Sequence, residues 1–339
     1  MATTPPPASG IEEATREQIR LRAIICGATG SGKTATGLII CNALRLRYGG
    51  RVGVIDTQHR QSLNYVKTRF APDGFLVKHL DTGNPEAFIN ALKMFRIRPD
   101  VTAVLVDGLS SAWQDAGGVL DAAGDNAQFS DWRSAKGPNF DLIREIQRSP
   151  FHVVCTVLAD TQYLIRMEEW AGGKQKMVGV DIIGTKPVQD KKIMPKFDLQ
   201  MGMDQNHTLT VYRTSFDPYD RMVVHKPDEK WFESYMEWME KGDKPDPLVE
   251  GVNPVTRIAS IEQVEEFYKL CALHGSDRTN TMVGFVKKFG SKPEETTEEF
   301  LEEKLKELRA RRVIPRPAPR QPAKPADVAE PATTPEAPK

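Results

Sequence analysis

Cysteine is scarce in this chain. There are four in 339 residues, Cys26, Cys41, Cys155 and Cys271, and none stands at a paired metal-ligand spacing. Cys26 and Cys155 fall inside apolar, strand-like runs, so buried reduced thiols and a reducing, cytosolic compartment are expected. A charge surplus of either sign is also missing: 46 Lys and Arg balance 46 Asp and Glu. That excludes a globally basic nucleic-acid binder, and any DNA contact must come from local patches. No run approaches the ~18 apolar residues that would span a bilayer. The first ten residues, MATTPPPASG, lack a basic-then-apolar signal pattern. The expectation is a soluble, intracellular, cytoplasmic protein with no membrane partner.

What is present is a hydrophobic fraction of 40%, enough for a sizeable core. Residues 1–20 read as a flexible tail. Residues 313–339 are so rich in proline and alanine that they cannot offset their ordering entropy. Between them, LRAIICG is a short apolar run entering a glycine loop, and TATGLIICNALRLRYGG has helical spacing that stops at Gly49-Gly50. RVGVID, TAVLVDG and FHVVCTVLA read as further buried strands, with helices PEAFINALKMFRI and NFDLIREIQRS between them. Strands alternating with helices predict an α/β fold with a mostly parallel sheet. From about Lys196, KFDLQMGM, HTLTVYRTS and DRMVVHK pair like antiparallel strands around the turn Asp217-Pro218-Tyr219-Asp220, and the helical patch WFESYMEWMEKG follows. The core is thus set at 21–240 and a proline-bearing linker at 241–258. A small helical module occupies 259–312. In it Ser260 caps one helix with Gln263 at the capping-box position, and Thr296 caps another with Glu299.

The chemistry sits in GATGSGKT, Gly27 to Thr34, a full match to G-x-x-x-x-G-K-[ST]. Average residue frequencies put a chance match in such a chain at roughly one in a hundred. The pattern also follows a strand and opens a helix, as its mechanism requires. Gly27, Gly30 and Gly32 let the backbone curl, so that the amides from Ala28, Thr29 and Ser31 onward converge at the helix mouth on the phosphates of a nucleoside triphosphate. Lys33 is expected to reach the β and γ phosphates, and Thr34 to offer its hydroxyl to Mg2+. Asp107, at the tip of the run TAVLVDG, occupies the position that orients the metal; the alternative is a capping aspartate before Gly108. No guanine-reading N-K-x-D motif is present, which favours ATP.

At this point the chain resembles the RecA-like ATPases, and within them the phage-type nucleotide-binding proteins of single-strand annealing and recombination. The resemblance covers about Leu21 to Lys226 and rests on GATGSGKT, VGVIDTQHRQSLNY, VLVDGLSSAW, HVVCTVLAD, MPKFDLQMGM and LTVYRTS in that order. It implies a RecA-like P-loop core that forms a homo-oligomer, ring or filament, and binds ATP with Mg2+ between subunits. The family commonly carries a glutamate two residues beyond the strand ending at Asp56, to activate the attacking water. Here that residue is Gln58, which can orient water but cannot take its proton; the alternative is a solvated loop residue. The family's polar phosphate sensor is replaced by Val157 and Leu158, with Thr156, Asp160, Thr161 and Gln162 the nearest polar groups. Slow hydrolysis, or ATP used as an assembly switch, is the expectation. The resemblance also places a cation near Arg213 that contacts the neighbouring subunit's triphosphate; the alternative is a solvated strand arginine.

It further puts a mobile DNA-binding loop in the irregular segment Tyr163 to Lys196. Arg166, Lys174, Lys176, Lys186, Lys191 and Lys192 could follow a phosphate backbone there and Trp170 could stack on a base. Glu168, Glu169, Asp181 and Asp190 argue instead for an ordinary solvated loop or hairpin. A second cluster, Trp113, Phe129, Trp132, Arg133 and Lys136, suits single strands in the same way, although the two tryptophans also suit core anchors. The leading expectation is therefore an ATP-dependent recombination or annealing factor on single-stranded DNA, with a single-strand binding or annealing protein as a further partner. The rival is a nucleotide-controlled interaction module, a loader or switch, without direct DNA binding. A small-molecule kinase ranks last, because no second basic cluster forms a lid.

Overall fold

β1 (Arg22–Gly27) is buried along its whole length and lies inside a nine-stranded mixed sheet. The computed structural model describes residues 15–170, 174–243 and 259–311, without the side chains of 161–185. α1 (Lys33–Tyr48) follows the glycine loop and stops where Gly49 turns to φ 80°, with its N–H on the Arg45 carbonyl. β2 (Arg51–Asp56), β3 (Leu76–His79), α2 (Pro85–Arg96), β4 (Val101–Asp107), α3 (Ser111–Gln114), α4 (Val119–Ala123) and α5 (Phe129–Arg148) come next. They are followed by β5 (His152–Trp170), β6 (Lys174–Pro187), β7 (Leu199–Met203), β8 (Thr208–Arg213), β9 (Val223–His225) and α6 (Glu233–Met239). The strand order is β3-β2-β4-β5-β1-β7-β8-β9, and β6 pairs only with β5. Every pair from β3 to β7 is parallel, whereas β7–β8, β8–β9 and β5–β6 are antiparallel. The fold is α/β with a mostly parallel sheet.

Alternation along each strand decides what lies on each face. Ile24 and Cys26 pack with Phe88 and Leu92 of α2 and Leu142 and Ile146 of α5. Ala23 and Ile25 point the other way, onto Leu38, Cys41 and Leu44 of α1 and Tyr235 and Met239 of α6. Since both faces are covered, strands such as VTAVLVD are apolar without alternation. The thiols of Cys26, Cys41 and Cys155 are buried in these layers, and burial pushes the Cys26 thiol up to about 11.

The chain departs from sequence expectation in several places. β3, a half-exposed edge strand, has too little apolar contrast to be read from sequence. α5 starts ten residues before NFDLIREIQRS and carries Pro138 inside it; the Asp131 carboxylate accepts the Gln128 N–H (2.8 Å) and caps the earlier start. Within the stretch read as a tail, Gln18 N–H bonds the Asp243 carbonyl (2.8 Å) and Ile19 N–H that of Met239 (2.9 Å), which ties residues 16–20 to the end of α6. The segment 163–196, expected to be irregular, is largely the antiparallel pair β5–β6, which runs from Ala159–Pro187 to Trp170–Lys174 with register shifts at Gln162/Tyr163 and Arg166/Met167. Residues 1–14, 244–258 and 312–339, which include most of the proposed tails and linker, lie outside the described residues.

The C-terminal module comprises α7 (Ile261–Leu273), α8 (Arg278–Phe289) and α9 (Glu298–Ala310) around Phe267, Phe285, Phe289 and Phe300. Ser260 and Gln263 form the expected capping box, but the cap of α9 is Thr297, one residue later than expected; Thr296 is buried and its hydroxyl bonds the Pro293 carbonyl (2.7 Å). The module seats on α2 through polar contacts. Lys304 pairs with Glu86 (2.6 Å), Lys93 with Glu299 (3.6 Å), and Asn90 bonds Ser291 (3.4 Å).

One histidine makes the fold acid-sensitive. His152 stacks on Tyr48 (centroids 5.2 Å apart), and its Nδ1 accepts the Leu21 N–H (3.0 Å). Burial, with Arg22 and Arg20 adding to it, pushes its pKa from 6.5 down to about 3. The unfolded chain therefore takes up this proton first, and stability falls as pH drops from 6.5 towards 3. One such proton costs ~1.4 kcal/mol per pH unit. Denaturant titrations between pH 6 and 4 should show that slope, and His152→Asn, which keeps an acceptor but no titrating ring, should flatten it.

Candidate functional site

The glycine loop leaves the C-terminal end of β1, and Asp107 ends β4 at the same side of the sheet. Gly30 (φ 80°) and Gly32 (φ 96°) adopt left-handed backbone, which brings the loop back onto the first turn of α1. Lys33 rests its ammonium on the loop's own Ala28 carbonyl (2.7 Å). Thr34 donates its hydroxyl to Asp107 Oδ1 (2.9 Å), and Thr156 donates to the same oxygen (2.7 Å) while accepting the Gly108 N–H (2.8 Å). Thr156 was noted in the sequence only as a polar neighbour of the missing sensor; its tie to Asp107 depends on β5 lying beside β4, a pairing across the sheet.

Gln58 arrives by a turn that Asp56 builds. The Asp56 carboxylate accepts the N–H of Gln58 (2.7 Å) and of Ser62 (3.1 Å), together with the Ser62 hydroxyl. Between them His59 (φ 50°) and Arg60 (φ 67°) both sit in the left-handed region. Such backbone costs on the order of 1 kcal/mol or more per residue and persists only where surroundings enforce it. The result is a cavity of about 250 Å³ lined by Thr29, Gly30, Lys33, Thr34, Gln58, His59, Asp107, Ser110, Asp115 and Thr156, among others. Lys33, Thr34, Asp107 and Gln58, predicted separately, thus share one pocket.

Two charges in it are poorly compensated. Burial lowers the Lys33 pKa although Asp107 and Cys26 raise it, and burial raises that of Asp107 although Thr156, Thr34 and Lys33 lower it. An anion beside Lys33 and a cation beside Asp107 would relieve both. The Ser31 hydroxyl is buried without a hydrogen-bond partner among the described residues. Amides at the mouth of a helix, an ammonium group, a hydroxyl and a carboxylate are the donor set for a metal-bound polyphosphate.

A second cavity of about 510 Å³ opens from the same loop over α1, between Tyr65, Arg69 and Phe70 on one side and Met203, His207, Lys226 and Pro227 on the other. Arg69 lies over the Phe70 ring (4.4 Å), and Tyr65 meets that ring edge-on (5.6 Å). Aromatic and guanidinium faces of this kind can flank a planar base. These residues went unnoticed in the sequence; the clustered aromatic-cation run from Tyr65 to Phe70 was the one signal.

Other candidates lie elsewhere. Arg213 is exposed and pairs with Gln200, whereas Met203 at the other end of β7 pairs with Gly27, so Arg213 is no part of its own chain's pocket. Arg166 and Trp170 fall on β5 and Lys174 and Lys176 on β6, with side chains outside the described set. Lys186 is exposed on β6 opposite Asp160, and Lys191 and Lys192 are exposed beyond it. Lys136 stands 5.5 Å from the Trp113 ring and 5.6 Å from that of Trp132, and pairs with Asp190 (2.9 Å). Both tryptophans are half-buried, outside the main core clusters, and Phe129 is exposed.

No protein-family model and no curated protein sequence matches this chain. Among the described residues no group of three or more His, Cys, Asp or Glu side chains could hold a metal by itself, and no helix is long and apolar enough to cross a membrane. A metal at Thr34 and Asp107 would therefore need ligand oxygens from a bound phosphate or water.

Asp107 gives a direct test of the charge argument. Its folded-state pKa is raised, so its contribution to stability is fully present below the unfolded value and is lost as pH rises through the folded one. Asp107→Asn should raise the melting temperature of the nucleotide-free protein at pH 7 and abolish any stabilisation by Mg2+ with ATP.

Proposed function

We propose that this chain is a RecA-like P-loop ATPase that binds ATP with Mg2+, assembles into a ring or filament, and acts on single-stranded DNA in recombination or annealing. The observation that carries the reading is the convergence of Lys33, Thr34, Asp107 and Gln58 on one cavity at the C-terminal side of the parallel strands β1, β2 and β4. In it Lys33 and the loop amides would hold the β and γ phosphates, and Thr34 and Asp107 would hold Mg2+, which when bound would neutralise charge on the transferred phosphoryl group. Gln58 orients the attacking water without taking its proton, so hydrolysis is slow.

The DNA part is supported by how the hairpin leaves the sheet. Leu158 lines the nucleotide cavity, and from Ala159 onward the same strand pairs with β6. One continuous strand thus runs from the cavity into the lysine-bearing segment that includes Lys174, Lys176, Lys186, Lys191 and Lys192. Arg213, at the far end of β8 from its own loop, would serve only a neighbouring chain's triphosphate. A loader or switch without a DNA grip is the second reading, favoured by the amide at Gln58 in place of a carboxylate.

Turnover and assembly of the purified protein should both rise with single-stranded DNA; if neither responds, the switch reading takes over. Lys33→Ala should cut turnover by about 100-fold or more. Gln58→Glu restores a general base at the water and should speed hydrolysis on the order of 100-fold; an unchanged rate would remove Gln58 from the attacking water.

A further inference from the structure

The glycine loop does not hold its shape alone. β7 runs beside β1 with Met203 opposite Gly27, so the turn from β7 into β8 emerges next to the loop. Two side chains of that turn reach across. Gln205 Nε2 donates to the Thr29 carbonyl (3.1 Å), and His207 Nδ1 lies 3.0 Å from the Ser31 carbonyl. A carbonyl oxygen only accepts, so Nδ1 carries the proton of this bond. A Cβ on Gly32 would stand 3.1 Å from His207 Nδ1, so the imidazole packs directly on the loop backbone.

Hydrogen bonds across the turn fix its backbone around His207. Asp204 Oδ1 accepts the N–H of Asn206 (2.9 Å) and Thr208 (2.8 Å). His207 N–H bonds the Asp204 carbonyl (3.1 Å), and the His207 carbonyl takes the Lys226 N–H (2.9 Å). His207 itself has φ 60°, a conformation that a non-glycine residue adopts at a cost.

A trans peptide is planar, so the carbonyl of one residue and the N–H of the next point in opposite directions. Fixing the Thr29 carbonyl against Gln205 turns the Gly30 N–H away from the turn and into the loop. Fixing the Ser31 carbonyl against His207 does the same for the Gly32 N–H. Gly30 and Gly32 have no side chains and left-handed φ, so their peptide planes rotate easily and need an outside restraint. We propose that Gln205 and His207 are positioning residues that aim the Gly30 and Gly32 amides at the bound polyphosphate before it arrives. This rests on the reading of the loop as a triphosphate site. It adds a role for the β7–β8 turn, which carries no motif of its own.

The test is binding of a fluorescent ATP analogue with Mg2+, and steady-state KM and kcat, in full-length variants whose melting temperatures are recorded alongside. His207→Ala and Gln205→Ala should each weaken binding by about three- to tenfold, the scale of one hydrogen bond, and raise KM while kcat changes little. His207→Asn places an amide N–H where Nδ1 stood and tolerates positive φ, so it should bind as the native chain does. His207→Gly relaxes the backbone but removes the donor, and should be as weak as His207→Ala. A His207→Ala and a Gln205→Ala that bind as the native protein does, or a His207→Asn as weak as His207→Ala, overturn the brace and leave the loop reading intact. A native chain that binds no triphosphate overturns both.

Discussion

Two opposite charges, sunk at or beyond the C-terminal ends of the two strands that flank β5 and incompletely satisfied by the protein around them, organise this molecule. Lys33 can do no better than its own loop's carbonyl, and Asp107 is held by two threonine hydroxyls. Burial disfavours the charged form of each. A folded chain keeps such a pair only where surrounding contacts enforce it. Here those contacts are the parallel sheet, covered on both faces, and the turns that Asp56 and Asp204 staple beside the loop. The strain at His59, Arg60 and His207 is gathered around the same cavities.

The β5–β6 hairpin and the C-terminal module are attached to this centre in different ways. The β5–β6 hairpin is continuous with a core strand, and its base is bolted down. Gln189 bonds the Leu109 carbonyl (3.2 Å) and accepts from Asn139 (3.0 Å), and Ser110 accepts the Leu158 N–H (2.8 Å). The C-terminal module has an aromatic core of its own and meets α2 through ion pairs. Lys304 and Lys93 are nearly buried in that seam, where an unpaired ammonium would be costly, so the carboxylates of Glu86 and Glu299 specify the docking more than they strengthen it.

Local chemistry explains which parts could be read early. The glycine loop, the strand ending at Asp107, the cap at Ser260 and the alternation of strands with helices are short-range patterns, and each carries its reason within a few residues. Thr156 as a partner of Asp107, the cage of Tyr65, Arg69 and Phe70, and the reach of Gln205 and His207 to the loop are long-range facts. They depend on β5 lying between β4 and β1 and on β7 lying on the other side of β1, and no local spacing encodes that order. The hairpin stood only as the alternative to a mobile loop for a related reason: mixed charge and paired glycines look irregular until a partner strand supplies the hydrogen bonds.

By itself, then, the sequence determined that a strand, a glycine turn and a helix would present amides and an ammonium at one point, because curvature there is a property of eight consecutive residues. It also determined that the sheet would be mostly parallel, since runs apolar on both sides must be covered twice. Only the tertiary structure decided which groups stand around that point. The threonine behind Asp107, the strained turn that presents Gln58 and the side chains that brace the loop come from strands distant in the chain. They are brought together by sheet order, and sheet order follows from how whole layers pack.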